Sequence, residues 1–159
     1  MKNIWAPWRF KYVIQEEREE GCLFCRVAKE QDDEKNLVLY RKEHCFIMLN
    51  LYPYNNGHLM ISPYTHVGTL EALHKEERDE IFETVAKVCA NIRKEMSAEG
   101  FNVGINIGAV AGAGVAEHIH VHVVPRWAGD TNFMPVIGNV KVISEALEDT
   151  YRRLKKYQY

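Results

Sequence analysis

Three histidines stand at alternate positions in the run His118-Ile119-His120-Val121-His122. In an extended chain successive side chains point to opposite faces at a rise of about 3.3–3.4 Å per residue. The three imidazoles therefore share one face, about 7 Å apart along the strand, with Ile119, Val121 and Val123 on the face turned to a core. Imidazole suits acid–base work, nucleophilic attack and metal ligation near neutral pH, and three in register are a poor way to fill a core. A lone histidine is ordinarily structural, and His44 and His74 are read that way. Two chemistries compete for the run. A His-x-His pair can chelate zinc and generate a hydroxide, making a metallohydrolase. Alternatively the middle residue, His120, is a nucleophile towards phosphorus and its neighbours orient it and donate hydrogen bonds. The loop ahead of the run favours the second reading. Gly108-Ala109-Val110-Ala111-Gly112-Ala113-Gly114 carries three glycines and no acidic ligand, and small residues let backbone N–H groups approach an anion.

A second group with chemical potential is Cys22-Leu23-Phe24-Cys25. Its spacing suits zinc, but one such pair is half of a tetrahedral site, and His44 is one source of a further ligand. A redox role is the alternative, although no thioredoxin-like βαβ pattern surrounds the pair. Cys45 and Cys89 lie in apolar patterns and read as core thiols.

The elements that must position these groups follow from periodicity. Leu37–Tyr40 and Cys45–Leu49 are short apolar runs separated by Arg41-Lys42-Glu43-His44, which predicts a hairpin. Asn55-Asn56-Gly57 marks a turn and His58–Ile61 a third strand ending at Pro63. Ile81, Val85, Val88, Ile92 and Met96 recur at helical spacing, with Glu76, Glu77, Asp79 and Glu80 in the first turns and Gly100 placed to stop the helix. Phe101–Ile107 alternates as a strand. The histidine run is another, ended by Pro125, and Ile143, Leu147, Tyr151 and Leu154 predict a last amphipathic helix. Charge-rich residues 15–20 and 29–36 flank the cysteine pair and place it on a loop-dominated arm. The class is α+β, one domain over residues 1–159 with an N-terminal arm, 1–36, carrying the cysteines.

Composition narrows the function. A formal net charge of −2 provides no global basic field for nucleic acid or an anionic membrane, so an anionic ligand must be held locally. No apolar run approaches the roughly 20 residues that span a bilayer, and Trp5, Pro7 and Trp8 replace a signal-peptide core. The expected home is the cytoplasm, where the four cysteines stay reduced.

His118-Ile119-His120-Val121-His122-Val123-Val124 resembles the signature of the histidine-triad (HIT) superfamily. Asn50-Leu51-Tyr52-Pro53-Tyr54-Asn55-Asn56-Gly57-His58 is similar to that family's ribose-binding segment. Val124-Pro125-Arg126-Trp127, Gly129-Asp130-Thr131-Asn132-Phe133 and Trp5-Ala6-Pro7-Trp8-Arg9 look like its bacterial diadenosine tetraphosphate phosphorylase branch. The resemblance implies an antiparallel sheet of about five strands with one long helix and a C-terminal helix, and a homodimer. It implies that His120 attacks the α-phosphate of a dinucleoside polyphosphate or related conjugate, giving a nucleotidyl-histidine that water or phosphate resolves. His122 and the N–H groups of Gly112, Ala113 and Gly114 would then bind phosphoryl oxygens. Asn106 would lie near the scissile phosphate, Asn50 on the ribose, and His58 behind the catalytic triad of His118, His120 and His122. Without the resemblance, Asn50 and Asn106 read as turn or cap residues. Trp127 would stack on a base, or equally sit in the core. The resemblance further implies a structural zinc on Cys22, Cys25, His118 and His66, the last from Pro63-Tyr64-Thr65-His66. The phosphate loop departs from many members in having no Gln, Ser or Thr, which leaves hydrolysis and phosphorolysis both open. A nucleotide-binding module without turnover is a further alternative, as is the zinc-hydroxide hydrolase.

Overall fold

A computed structural model describes residues 21–132, 137 and 142–159. The segments Trp5–Arg9 and Phe133, named above for the resemblance, lie outside the described residues. Five strands form one antiparallel sheet: β1 (Val38–Arg41), β2 (Cys45–Leu49), β3 (Leu59–Pro63), β4 (Gly100–Ile105) and β5 (Val121–Arg126), in the order β1-β2-β3-β5-β4. The described helices are α1 (Leu23–Lys29), α2 (Lys75–Met96) and α3 (Leu147–Leu154). The expected α+β class and five-strand sheet are what the chain adopts.

The sheet has two different faces. Cys45, Ile47, Leu49, Leu59, Ile61, Val121 and Val123 pack with Ile81, Val88 and Ile92 of α2 and with Tyr151 and Leu154 of α3. On the other face Phe46, Met48 and Met60 are covered by Phe24 and Val27 of α1. β2 is therefore buried along its whole length, which is why Cys-Phe-Ile-Met-Leu is apolar at every position instead of alternating. Beyond α1 that second face is open, and β5 presents His122 and Val124 there beside Gly104 and Asn102 of β4.

The chain departs from the sequence expectations at several points. Helix α2 stops at Met96 because Ser97 takes the left-handed conformation, φ 52°, and Gly100 instead opens β4. Pro125 lies inside β5, opposite Phe101, and its carbonyl accepts from Asn55 Nδ2 at 3.0 Å. Ile143 precedes α3 instead of belonging to it. The cysteine pair sits on a helix, with Cys22 as the N-cap and Cys25 within α1, because Phe24 and Val27 supply an apolar face three residues apart that the sheet can bury.

The first half of the histidine run is not part of the β5 ladder. Ile119 N–H instead donates to the Val67 carbonyl at 2.7 Å. Gly68 lets the two segments come this close, because a Cβ there would stand 2.7 Å from the Ala116 carbonyl oxygen.

A histidine cluster with assigned protons

Two imidazoles of the run meet backbone carbonyls and the third meets His58, whose own sense is set by a backbone N–H, and together these partners assign the protons. A backbone carbonyl can only accept. His120 Nδ1 lies 2.9 Å from the His118 carbonyl, so Nδ1–H donates there and Nε2 of the neutral ring holds the lone pair. His118 Nε2 lies 3.0 Å from the Pro63 carbonyl, so its Nδ1 holds the lone pair. A backbone N–H can only donate. Tyr54 N–H lies 3.0 Å from His58 Nδ1, so the His58 proton is on Nε2 and is donated to His122 Nδ1 at 2.9 Å. The proton of His122 is then on Nε2. The result is a lone pair on His120 beside an N–H donor on His122, with ring centroids 4.8 Å apart.

Burial keeps these rings neutral. Desolvation lowers the pKa of His118 and His120, and it lowers His122 to about 4, helped by repulsion from His120. The unfolded chain, whose imidazoles titrate near the ordinary value of about 6.5, therefore binds more protons than the folded one as pH falls. The stability contributed by neutral His122 is complete above about 6.5 and is lost towards about 4, at no more than about 1.4 kcal/mol per pH unit for one proton. Urea midpoints measured between pH 7 and 4.5 should fall with pH, and His122→Gln should flatten that slope. Parallel slopes for the two proteins would refute the assignment.

His118 faces the other group. Its Nδ1 lies 3.3 Å from Cys22 Sγ, 3.5 Å from Cys25 Sγ and 3.3 Å from His66 Nδ1, and Cys25 Sγ lies 3.2 Å from His66 Nδ1. One ligand atom from each of Cys22, Cys25, His66 and His118 falls within 4.8 Å of every other, a grouping able to hold a metal ion. His44 is not in it; its imidazole lies 3.9 Å from Glu43 at the β1–β2 turn. His66 is held by its neighbour Thr65, whose hydroxyl donates to Glu77, while Glu77 also accepts from His74 N–H at the start of α2. The remaining cysteines are elsewhere: Cys45 is fully buried in the core and Cys89 half-buried on α2. Burial lifts the Cys45 thiol to about 12, so it stays protonated.

The other sequence candidates divide. Asn50 Oδ1 accepts from Tyr52 N–H at 2.9 Å, a local turn, while its Nδ2 lies 3.4 Å from His58 Nδ1. Asn106, half-buried just beyond β4, reaches the Gly112 carbonyl at 3.4 Å. In the glycine loop Ala109–Ala111 makes one 3-10 turn, and the N–H groups of Gly112 and Ala113 donate to Ala109 and Gly108 carbonyls. Gly108 and Gly112 have φ of +81° and +89°, conformations that glycine adopts without strain. Trp127 packs against the core and its indole N–H donates to the Met96 carbonyl at 3.1 Å.

Two aromatic neighbours were not singled out from sequence. Phe24 of α1 has its ring centroid 4.6 Å from that of His120 and 5.2 Å from that of His118. Tyr54 lies over His58 at 4.6 Å and stacks on His122 at 5.9 Å. The position of Phe24 between the two cysteines was the available signal, since any metal that fixes both also fixes the ring between them.

Comparison with known proteins adds a frame to this geometry. A family model described as HIT domain matches residues 31–129. The chain is 41% identical over 162 residues to a Mycobacterium tuberculosis protein named AP-4-A phosphorylase, covering 97% of this chain and 83% of that one. It is 38% identical over 93 residues to a bis(5'-nucleosyl)-tetraphosphatase of Schizosaccharomyces pombe, covering 58% of this chain and 50% of that one. A solved Zn-bound histidine triad family protein from Mycobacterium smegmatis aligns with a TM-score of 0.69 at 26% identity, over 85% of this chain and 91% of that one.

Proposed function

The chain belongs to the HIT domain family, and from that premise we propose that it cleaves dinucleoside polyphosphates or related nucleotide conjugates at the α-phosphate through a nucleotidyl-histidine on His120. The observation that carries the reading is the proton placement. The Nδ1–H bond to the His118 carbonyl leaves Nε2 of His120 free to attack phosphorus, and a neutral imidazole is a competent nucleophile. The chain Tyr54 N–H, His58, His122 aims an N–H donor at the same region, where it meets phosphoryl oxygens gaining charge in the transition state.

In the proposed sequence His120 Nε2 forms a bond to the α-phosphorus and the bond to the bridging oxygen breaks. The remaining polyphosphate leaves with its negative charge on that oxygen. Water or inorganic phosphate then attacks the same phosphorus, frees His120 and takes the nucleotidyl group. Asn50 and Asn106 are proposed to orient ribose and phosphate. Gly112, Ala113 and Gly114 form the small-residue edge that lets the phosphate approach the chain. Trp127, with its N–H held by Met96, takes no part in this scheme.

The Cys22, Cys25, His66 and His118 donors fit a tetrahedral zinc. Zinc bonds of ordinary length give ligand separations of about 3.3 Å between nitrogens and about 3.6 Å between sulfur and nitrogen, against the 3.3 Å and 3.2–3.5 Å found. The Pro63 carbonyl on the far nitrogen of His118 is the orienting partner that metal-bound histidines ordinarily have. Four protein donors leave no position for a reactive water, which favours a structural ion over a zinc hydroxide. When bound, the ion supplies folding free energy and ties α1 to the sheet. Within the proposal the protein works in the reducing cytoplasm, and no helix among the described residues is long and apolar enough to cross a membrane. A second copy would pair along β4, an edge strand with Val103 exposed.

Rapid quenching of a reaction with diadenosine tetraphosphate labelled at the α-phosphates tests the reading. Label should appear on the protein in an acid-labile, base-stable bond, and the released products should be ATP with AMP from water or ADP from phosphate. Turnover without any labelled protein would remove His120 as nucleophile, and absence of turnover would favour a binding module.

A further inference from the structure

The open face of the sheet continues past the histidines. Residues His122, Val124 and Arg126 of β5 share that face with Gly104, Asn102 and Gly100 of β4, their register partners. A cavity of about 270 Å³ lies at the Arg126 end, lined by Tyr54, Asn102, Val124, Arg126, Asp130 and Thr131 among others. Tyr54 belongs to both places, since the same ring stacks on His122. Between them the floor is bare: a Cβ built on Gly104 meets nothing within 4 Å.

The walls of the cavity are held rigidly. Asp130 accepts from Arg126 Nε at 2.5 Å and from Nη2 at 2.9 Å. It also accepts from Asn55 Nδ2 at 2.9 Å and from Trp127 N–H at 3.2 Å. Arg126 Nη1 donates to Asn102 Oδ1 at 2.9 Å. Both residues line the cavity, but the Asp130 side chain is 6% exposed while that of Arg126 is 48% exposed, so the guanidinium is the more accessible of the two. Because Asp130 balances its charge, the wall is polar without a strong anion-binding field. Such a wall, beside an aromatic ring, suits an uncharged planar group with several hydrogen-bonding edges better than a phosphate.

We infer that this cavity seats the second nucleoside of a dinucleoside polyphosphate, the one that departs with the leaving group. The inference rests on the proposed reaction at His120. Val124 is four residues from His120 in the chain, at most about 13–14 Å at full extension, and a chain of several phosphates lying over Gly104 would join the two places. The volume of about 270 Å³ lies just below the usual range of ligand sites, which run from about 300 Å³ upward, a scale that suits a single nucleoside. The cavity would therefore select for a linker of sufficient length as well as for a second base.

The test compares two substrates on the wild type and on Arg126→Ala and Asn102→Trp, the second filling the cavity from an exposed strand position. Diadenosine tetraphosphate has a second nucleoside; adenosine 5'-phosphoramidate has none. For each variant kcat/KM on the dinucleotide should fall roughly 10–100-fold, mostly through KM, while kcat/KM on the phosphoramidate changes less than about threefold. Equal effects on both substrates, or no effect on either, would overturn the subsite and leave the reaction at His120 standing. A wild type that transfers no nucleotidyl group from either substrate would overturn the reaction and the subsite together. Melting curves of the variants identify losses caused by unfolding, and Asn102→Trp keeps the comparison decisive if Arg126→Ala does not fold.

Discussion

Replacing His120 with glycine should lower turnover of diadenosine tetraphosphate by roughly four to six orders of magnitude, the scale on which removal of a covalent nucleophile is felt. Nucleotide affinity should change little, because the proposed binding groups are Asn50, Asn106, His122 and the loop. The substitution opens a hole between the rings of Phe24 and His122, whose centroids lie 4.6 Å and 4.8 Å from that of His120. Free imidazole can enter such a hole and supply the missing nucleophile, so added imidazole should restore part of the rate with saturation. Steady-state rates with and without imidazole, alongside equilibrium titration of nucleotide, read all three effects. Near-normal turnover by the glycine variant would return the zinc-hydroxide reading to the front.

Cys25→Ser should have the largest effect on stability. Cys25 Sγ is within 3.2 Å of His66 Nδ1 and 3.5 Å of His118 Nδ1, so it stands beside both histidines of the proposed metal site. An ion bound about a thousandfold above its dissociation constant adds about 4 kcal/mol to folding, and losing it should lower the melting temperature by about 10 °C in a chain of this size. Metal content should fall from one zinc per chain to a small fraction. Activity should fall as well without any metal chemistry being involved, because α1 carries Phe24 against His120 and the His118 carbonyl holds the His120 proton. Cys89→Ser, on a half-buried thiol of α2 outside the cluster, should leave metal content unchanged. One zinc per chain in purified Cys25→Ser would remove this residue from the ligand set.

The readable parts of the chain were those with short-range order. Alternation in Phe101–Ile107 and helical spacing from Ile81 to Met96 identify a strand and a helix because each periodicity repeats within one element. The boundaries were harder. Gly100 looked like a helix stop, but Ser97 turns the chain three residues sooner, and a polar residue tolerates a left-handed conformation often enough to forestall the glycine. The flanking charges made the cysteine pair look like loop, yet the two apolar side chains between Cys22 and Lys29 that bury against Phe46, Met48 and Met60 make it a helix. Helices this short form through the packing they gain, which local sequence does not display.

The sequence by itself determined that three imidazoles share one face behind a loop of small residues, and that a Cys-x-x-Cys pair with zinc spacing supplies at most half of a tetrahedral site. Both are consequences of residue type and spacing along a chain of known geometry. Only the tertiary structure decided which nitrogen of each ring carries the proton. Those protons are placed by the carbonyls of Pro63 and His118 and, through His58, by the N–H of Tyr54, and two of the bonds involved, His118 to Pro63 and His58 to His122, join segments more than fifty residues apart. It alone also placed His118, and not His44, among the cysteines and His66, and joined that cluster to His120 through one aromatic ring. A hydrogen bond between distant segments has no periodicity for a sequence to reveal, and it is these bonds that give three histidines on one face a lone pair on His120, an N–H donor on His122 and a place for His118 beside the cysteines.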